Sequence, residues 1–503
     1  MAVFKHGTYG EIQANGFTNA ANADSQSAIV YIGTAPVNQI EGGAANVNKP
    51  ILCNNIADAR KYFGYSEDWA KYTLCEAMHV HFELKGVGPL VFINVFDPSK
   101  AAHKASTGGT ASLTPENGRI VVANAEDAYL DSLVVKTQAE TPVVKVKGTD
   151  YTASYDADKK VINIVELTAG ALGTAALTVT WDIGDPAAVT SSDVIGSSDG
   201  YGLNTGVFAV KNVYSETGYI PAYILAPGFS SVPAVHAAMY QNSKEINGHW
   251  NAWLFVDMPL VDSQSTAITL ATAATWKNAN GYNKDNESVF FPMVKGTDGK
   301  KYHLSVLNCA NFQELLIQND GIPYMSGSNT DCAIIEDFFM GASVTGRVID
   351  DELINRTLNA NGIDSAAYVG GRWAIWGCMA ASYGPSNATQ INTFDTALMM
   401  LYYLTNDFQH RRNPDVDKPM TANDLQTMVS EEQSRLDALI GVGALTYGKA
   451  SVNATPTALS DMYQGDFAIR FNVTTTPLAK SLTAIAAWTA DGFVAYFASM
   501  SAA

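Results

Sequence analysis

Asp257, His303 and Ser326 or Ser328 follow one another in the order of one serine hydrolase triad. In such a triad a carboxylate orients an imidazole, which takes the proton of a nucleophilic hydroxyl. Order alone does not make a site, and the surroundings are wrong. Asp257 is followed by Met258-Pro259 rather than by a hydroxyl residue and a glycine. His303 stands in Lys301-Tyr302-His303-Leu304-Ser305-Val306, which reads as a strand and not as the approach to a glycine-rich turn. Ser326-Gly327-Ser328 lacks the flanking residues that would set a nucleophile. Asp257 is therefore expected to hydrogen-bond a turn, and His303 to be a satisfied strand residue; no catalytic residue is assigned. His79 and His81 lie two apart beside Glu83 on an expected helix, where an i, i+2 pair points to different faces. No metal site is assigned. Neither GxxxxGK[ST] nor a strand-placed GxGxxG occurs, so no nucleotide cofactor is expected.

The elements around these residues indicate what the chain is built for. At 503 residues it is too long for one core. Charged residues make up only 16%, and the net charge is −18, from 31 basic and 49 acidic side chains. That balance argues against nonspecific nucleic-acid binding and against an anionic membrane surface, both of which need clustered cations. Met1 to Gly16 has no apolar signal-peptide core, and no run reaches the roughly 18 apolar residues of a membrane span. Cys53, Cys75, Cys309, Cys332 and Cys378 are odd in number and scattered, so reduced, buried thiols in a cytosolically assembled protein are expected.

In chain order, residues 1–22 are polar and glycine-rich, an arm rather than core, with a short extended piece at Tyr9 to Ala14 that includes Glu11 and Ile12. Residues 23–100 alternate strand and helix: SAIVYIG, then the Asn-capped NNIADARKYFG, a second helix about Asp68 to Leu84, and PLVFINV. Residues 101–200 turn to short alternating Val/Thr runs separated by turns, the pattern of a β-sandwich inserted into the α/β core. Residues 201–345 resume α/β character, with expected strands at Val207–Val210, Ala222–Ala226, Trp253–Asp257 and Ser288–Phe291. Residues 346–490 form a C-terminal unit organised around Leu358 to Ala381, whose Trp373 to Cys378 run is apolar on both faces. Helices are expected over Asn392 to Gln409 and over Thr421 to Leu439, the second with Asp424 three residues after its Thr421 cap. A strand alternates cleanly through Phe467, Ile469, Phe471 and Val473, and a second runs from Leu482 to Trp488. Residues 491–503 are a second arm; Phe493 to Met500 is apolar, aromatic and expected to be a strand. A free strand of that kind is an aggregation hazard unless it has a paired home.

Several of these blocks resemble contractile tail sheath proteins of phage tails and related injection machines. HGTY at His6–Tyr9 stands where that family has a Pro-Gly-Val-Tyr block, with His6 in place of the proline. NNIADARKYFG, VGPLVFINVF, the ILAPG and LFVDMP strand ends and LNANGIDSAAYVGGRWAIWGCMAA follow in the family's order. The resemblance covers nearly the whole chain except the insert. It implies an α/β (α+β) multidomain fold: a subtilisin-like α/β sheath core, an inserted outward-facing β-sandwich and a C-terminal α+β domain with extended terminal arms.

The resemblance also implies a structural subunit without enzymatic activity. Copies would polymerise as a helical stack of hexameric rings around an inner tail tube, meet baseplate and tail terminator proteins, and contract to drive the tube through a target envelope. Neither nucleic acid binding nor membrane insertion is implied, and the location would be a virion tail or tail-like particle assembled in the host bacterial cytoplasm. In that family both arms join neighbouring copies, which here points to Tyr9, Glu11, Ile12, Phe493, Val494, Tyr496 and Phe497 as donors and to Phe467, Ile469, Phe471 and Val473 as the acceptor strand. His410, Arg411 and Arg412, a basic cluster at a helix end, would contact the tube, or would simply complement the helix terminus. The competing classes are a subtilisin-like serine hydrolase and a surface protein with an Ig-like domain.

Overall fold

The computed structural model describes residues 27–341, 349–384, 389–453 and 462–501. Its centre is a six-stranded sheet drawn from two separated stretches of chain. The contributing strands are β1 (Ser27–Gly33), β2 (Ile51–Cys53), β3 (Leu90–Asn94) and, past the insert, β11 (Ile220–Leu225), β12 (Trp253–Asp257) and β13 (Glu287–Phe290). The spatial order is β13-β12-β11-β1-β3-β2, parallel except for β2. Val30, Ile32, Val91, Ile93, Ile224 and Leu254 are fully buried, because strands linked by crossover helices are covered on both faces.

The insert carries β4 (Gly109–Leu113), β5 (Arg119–Val122), β6 (Val134–Thr137), β7 (Val144–Lys145), β8 (Tyr151–Asp156), β9 (Val161–Glu166) and β10 (Leu177–Trp181). They form two sheets, β4-β10-β6-β7 and β5-β9-β8, around a separate core that includes Val135, Tyr151, Ile164 and Val179. The sandwich is fastened to the main sheet by polar bonds. Asp127 accepts from Lys71 Nζ at 2.7 Å and from the Tyr72 hydroxyl at 2.9 Å, and Asn38 Nδ2 donates to the Ala128 carbonyl at 3.1 Å.

After a small sheet of β14 (Met293–Gly296), β15 (Lys301–Tyr302) and β16 (Ile335–Phe339), the Leu358–Ala381 stretch folds as the hairpin β17 (Ser365–Val369) and β18 (Arg372–Trp376). Gly370 and Gly371, at φ 59° and 81°, make its turn, the backbone sign that a tight hairpin needs. The stretch is tied to the main sheet by main-chain bonds at both its ends, Ala381 N donating to Glu287 O at 2.8 Å. Asp364 N donates to Val289 O at 2.7 Å and Asp364 O accepts from Phe291 N at 3.0 Å. Lys277, 1% exposed, reaches across from its own helix to the carbonyls of Asn361 (2.8 Å) and Ala381 (2.5 Å). The last sheet is the pair β19 (Leu445–Val452) and β20 (Ile469–Thr475), packed on the Asp395–Arg412 and Ala422–Gly441 helices.

Four expectations are corrected. Val207–Val210 lies in a 3₁₀ turn, Gly206–Asn212, because Val207, Ala209 and Val210 all find core contacts there without a strand neighbour. His303 is not in a strand: it precedes a 15-residue helix, Leu304–Gln318, whose residues are buried nearly all round and so show no polar face in the sequence. Leu482–Trp488 has no regular structure. Phe493–Met500 belongs to a helix, Asp491–Ser501. Phe493, Tyr496, Phe497 and Met500 fall at i, i+3, i+4 and i+7, and a strand would need a partner that this single chain does not supply.

The joint under β17 and β18 is electrostatically loaded. Burial raises the Asp395 carboxyl to about 7, against hydrogen bonds from the Ser326 hydroxyl and the Thr396 amide. Burial and the Asp395 charge push Asp364 up as well. A carboxyl whose folded value lies above its unfolded one adds stability that is whole at acid pH and is lost as pH rises through the folded value. Asp395→Asn is therefore expected to raise thermal stability over the parent by roughly 2 kcal/mol more at pH 8 than at pH 5. Melting of the unassembled chain at both values checks this; an equal offset at both contradicts it.

Candidate assembly interface

Asp257 and His303 meet in one cluster, but neither Ser326 nor Ser328 joins it. Asp257 accepts from Ser305 N at 3.1 Å and Ser305 Oγ at 2.5 Å, closing the start of the Leu304–Gln318 helix. His303 Nδ1 bonds Glu76 Oε2 at 2.6 Å, and its amide donates to Glu76 Oε1 at 2.6 Å. Burial alone would depress this imidazole, but the Glu76 and Asp257 carboxylates override it and hold it at about 9. Ser326 Oγ is committed to Asp395 at 2.7 Å, and Ser328 Oγ accepts from Gly377 N at 3.0 Å. The cluster is a charged cap on a helix whose N-terminal amides favour anions. His79 and His81 part company too: His79 bonds Glu83 at 2.8 Å, while His81 is buried between Tyr31 and Gln313, where desolvation lowers it to about 4. Among the described residues no group of His, Cys, Asp and Glu side chains could hold a metal ion, and no helix is long and apolar enough to cross a membrane.

What stands out instead is a two-stranded sheet at the C-terminal end: among the described residues the hairpin of β19 and β20 has no further strand. One face packs on the helices through Leu436, Leu439 and Leu445, and Phe471 meets Phe408 edge to face at 5.4 Å. Ile469, Phe471 and Val473 lie in β20, while Phe467 is 41% exposed and stands just ahead of it. From Pro477 to Ala490 the chain has no regular structure; Lys480 Nζ donates to the Tyr383 hydroxyl at 3.5 Å, and Leu482, Ile485 and Trp488 are 90%, 90% and 82% exposed. Phe493, Val494, Tyr496 and Phe497 follow in the terminal helix, where Phe493, Tyr496 and Phe497 are exposed. Tyr9, Glu11 and Ile12 lie outside the described residues.

His410, Arg411 and Arg412 are not a free basic patch. Arg411, 15% exposed, pairs with Asp407 and Glu432, each at 2.8 Å. Arg412 pairs with Glu431 at 2.8 Å and with Glu432. Arg435 reaches Asp407 at 2.9 Å, and the ring of His410 stands edge-on to Tyr214 at 6.2 Å. Asp407 and Glu432 are fully buried, so these arginines fasten the two long helices together. The sequence carries one trace of this, the doublet Glu431-Glu432 on the next helix answering Arg411-Arg412. Gln433, which bonds β19, left no such trace.

No family model matches the chain. A curated relative, the "Tail sheath protein" of Burkholderia phage BcepMu, is 23% identical over 465 residues, 91% of each chain. Two solved structures share the fold: one from the cryo-EM structure of the anti-feeding prophage baseplate (TM-score 0.54, 12% identity, 97% of this chain and 100% of that one) and one from the sheath complex of an extracellular contractile injection system in its contracted state (TM-score 0.54, 9% identity, 98% and 100%). The resemblance to contractile tail sheath proteins read from the motifs is borne out along the chain's length.

Removing one partner of a buried charge network strands the others. Arg411→Met is expected to cost about 3 kcal/mol in urea unfolding of the free subunit, against less than about 0.5 kcal/mol for the exposed Lys418→Ala. A side chain that served only an outside partner would leave the free subunit's stability unchanged.

Proposed function

We propose that this chain is the structural subunit of a contractile tail sheath, polymerising helically around an inner tail tube and contracting to drive that tube through a target envelope. The near full-length likeness to a tail sheath protein supports the class. The observation that supports the mechanism is a sheet that among the described residues has two strands, beside a C-terminal segment whose Leu482, Ile485 and Trp488 are exposed. Exposed strand edges and unburied aromatic tails are costly in a solitary protein and useful in one that is completed by its neighbours.

Donation from one copy to the next is a heterologous contact, and such contacts build rings and open helices rather than closed pairs. Arms from both ends, the N-terminal one through Tyr9, Glu11 and Ile12, link copies into stacked hexameric rings. The six-stranded sheet serves as the subtilisin-like core of each brick, without catalytic chemistry. Copies assemble as an extended, kinetically trapped lattice, held between baseplate and terminator proteins in a virion tail or tail-like particle that forms in the host cytoplasm. On release, domains rotate as near-rigid bodies into a shorter, wider lattice while the arms stay paired, and no nucleotide is consumed. His410 is the member of the basic cluster left to face the tube, since both arginines already have carboxylate partners within the chain.

The test is a truncation after Thr476, which removes the whole C-terminal arm and leaves the β19–β20 ladder intact. Negative-stain microscopy of the parent is expected to show hollow, striated cylinders, and of the truncated chain only dispersed subunits with the parent's circular dichroism. Long cylinders from the truncated chain would contradict the arm mechanism.

A further inference from the structure

Where the six-stranded sheet meets the C-terminal unit, the main chain forms a seam. Asp364 gives its amide to Val289 O at 2.7 Å and takes that of Phe291 at 3.0 Å, so it lies along the outer edge of β13 as a further strand residue would. Ala381 N donates to Glu287 O on the same edge. Past β18, Asp395 N donates to Cys378 O at 3.1 Å and opens the Asp395–Arg412 helix. The seam thus runs through the backbones of Asp364 and Asp395, which are 2% and 3% exposed.

Charge does not balance in this pocket. Glu287, also buried, is answered on one oxygen by His236 Nε2 at 2.6 Å and on the other by the Lys284 amide at 2.8 Å. Tyr282 stacks on that imidazole at 3.9 Å and gives its hydroxyl to Ser230 O. One ammonium, Lys277, is left to the two aspartates, and its bonds go to the carbonyls of Asn361 and Ala381. Asp395 accepts from Ser326 Oγ and from the Thr396 amide. Asp364 Oδ1 is buried and has no hydrogen-bond partner among the described residues. Gly377, at φ 138°, lets the backbone press against that oxygen, and a Cβ there would collide with it. The Cys378 thiol faces both carboxyls; burial and their charges push it up, and Lys480 opposes them.

A bare carboxylate in such a place is far costlier than a protonated one. Burial raises both aspartates, and the Asp395 charge adds to the rise at Asp364. The two belong to the main chain of the seam itself, so repulsion between their side chains acts on the bonds that close it.

We propose that this seam is a proton-operated latch: with a proton on the aspartate pair the C-terminal unit is held to the β13 edge, and when both carboxyls ionise their repulsion works it loose. Every group in the latch lies inside one chain, so it stands without the sheath reading. Carboxyls whose folded values lie above their unfolded ones give a hold that is whole at acid pH and is lost as pH rises through the folded value.

Hydrogen exchange of the dispersed full-length chain tests this, read as protection factors at a series of pH values from 5 to 9. Protection of the Phe291, Asp364 and Ala381 amides is expected to fall by at least about ten-fold between pH 5 and pH 8, while that of Ile224 and Leu225, in the middle of the sheet, changes little. Asp395→Asn is expected to flatten most of that fall. Ser326→Ala removes a bond that favours the ionised carboxylate and leaves the charges of the seam in place; it is expected to carry the fall on to higher pH. Level seam protection in the parent, an equal fall in Asp395→Asn, or equal loss at Ile224 and Leu225 would overturn the latch. Should Asp395→Asn fail to fold, a Ser326→Ala profile that coincides with the parent's would overturn it by itself.

Discussion

A main-chain hydrogen bond left unmade is the constraint on which this structure turns. Each amide and carbonyl of an unpaired strand either bonds water or waits for another backbone, and a two-stranded ribbon is marginal by itself. The β19–β20 hairpin keeps its place because helices pack on one face and Gln433 closes one edge. Among the described residues no further strand pairs with the β20 edge, a few residues before a segment without regular structure. The proposed donor and acceptor lie close together in the chain, as the proposed repeating unit requires.

The rest of the molecule is arranged to bear load across such joints. The insert is clasped to the sheet by Asp127, Lys71 and Tyr72 rather than hung on free linkers. Lys277 and Asp364 pin the Leu358–Ala381 stretch to the sheet edge, and the Arg411, Glu432 and Asp407 network fastens the two long helices beneath the hairpin. Burial lowers Lys277 to about 8, opposed by Glu287 and Asp364. Charges held this deep are costly singly and tolerable only in fixed geometry. Such fixed pairing suits the near-rigid bodies that the proposed contraction calls for.

Much of this was legible in the sequence where period and burial agree. SAIVYIG and PLVFINV are apolar on both faces and became central strands; the alternation through Ile469, Phe471 and Val473 became β20; Thr421 and Asp424 formed the expected capping box. Legibility failed where one pattern fits two structures. The Leu304–Gln318 run buries polar residues such as Asn308, Asn311 and Gln313 along with its apolar ones, which hides its helical period, and FVAYFASM satisfies both the strand and the helix template. Long-range partners were largely invisible as well: nothing local says that His303 meets Glu76 or that Gln433 bonds β19. The resemblance to sheath proteins supplied what periodicity could not, because it carried the order of blocks along the chain rather than the geometry of any one of them.

Hydrogen exchange at the amides of Ile469, Phe471 and Val473, compared between the dispersed subunit and the assembled form, tests most directly that a neighbour completes this sheet. The account predicts fast exchange in the subunit and strong protection on assembly, with Gly448 and Ala450 little changed between the two. Protection already present in the dispersed subunit, or exchange that stays fast in the assembly, would contradict it.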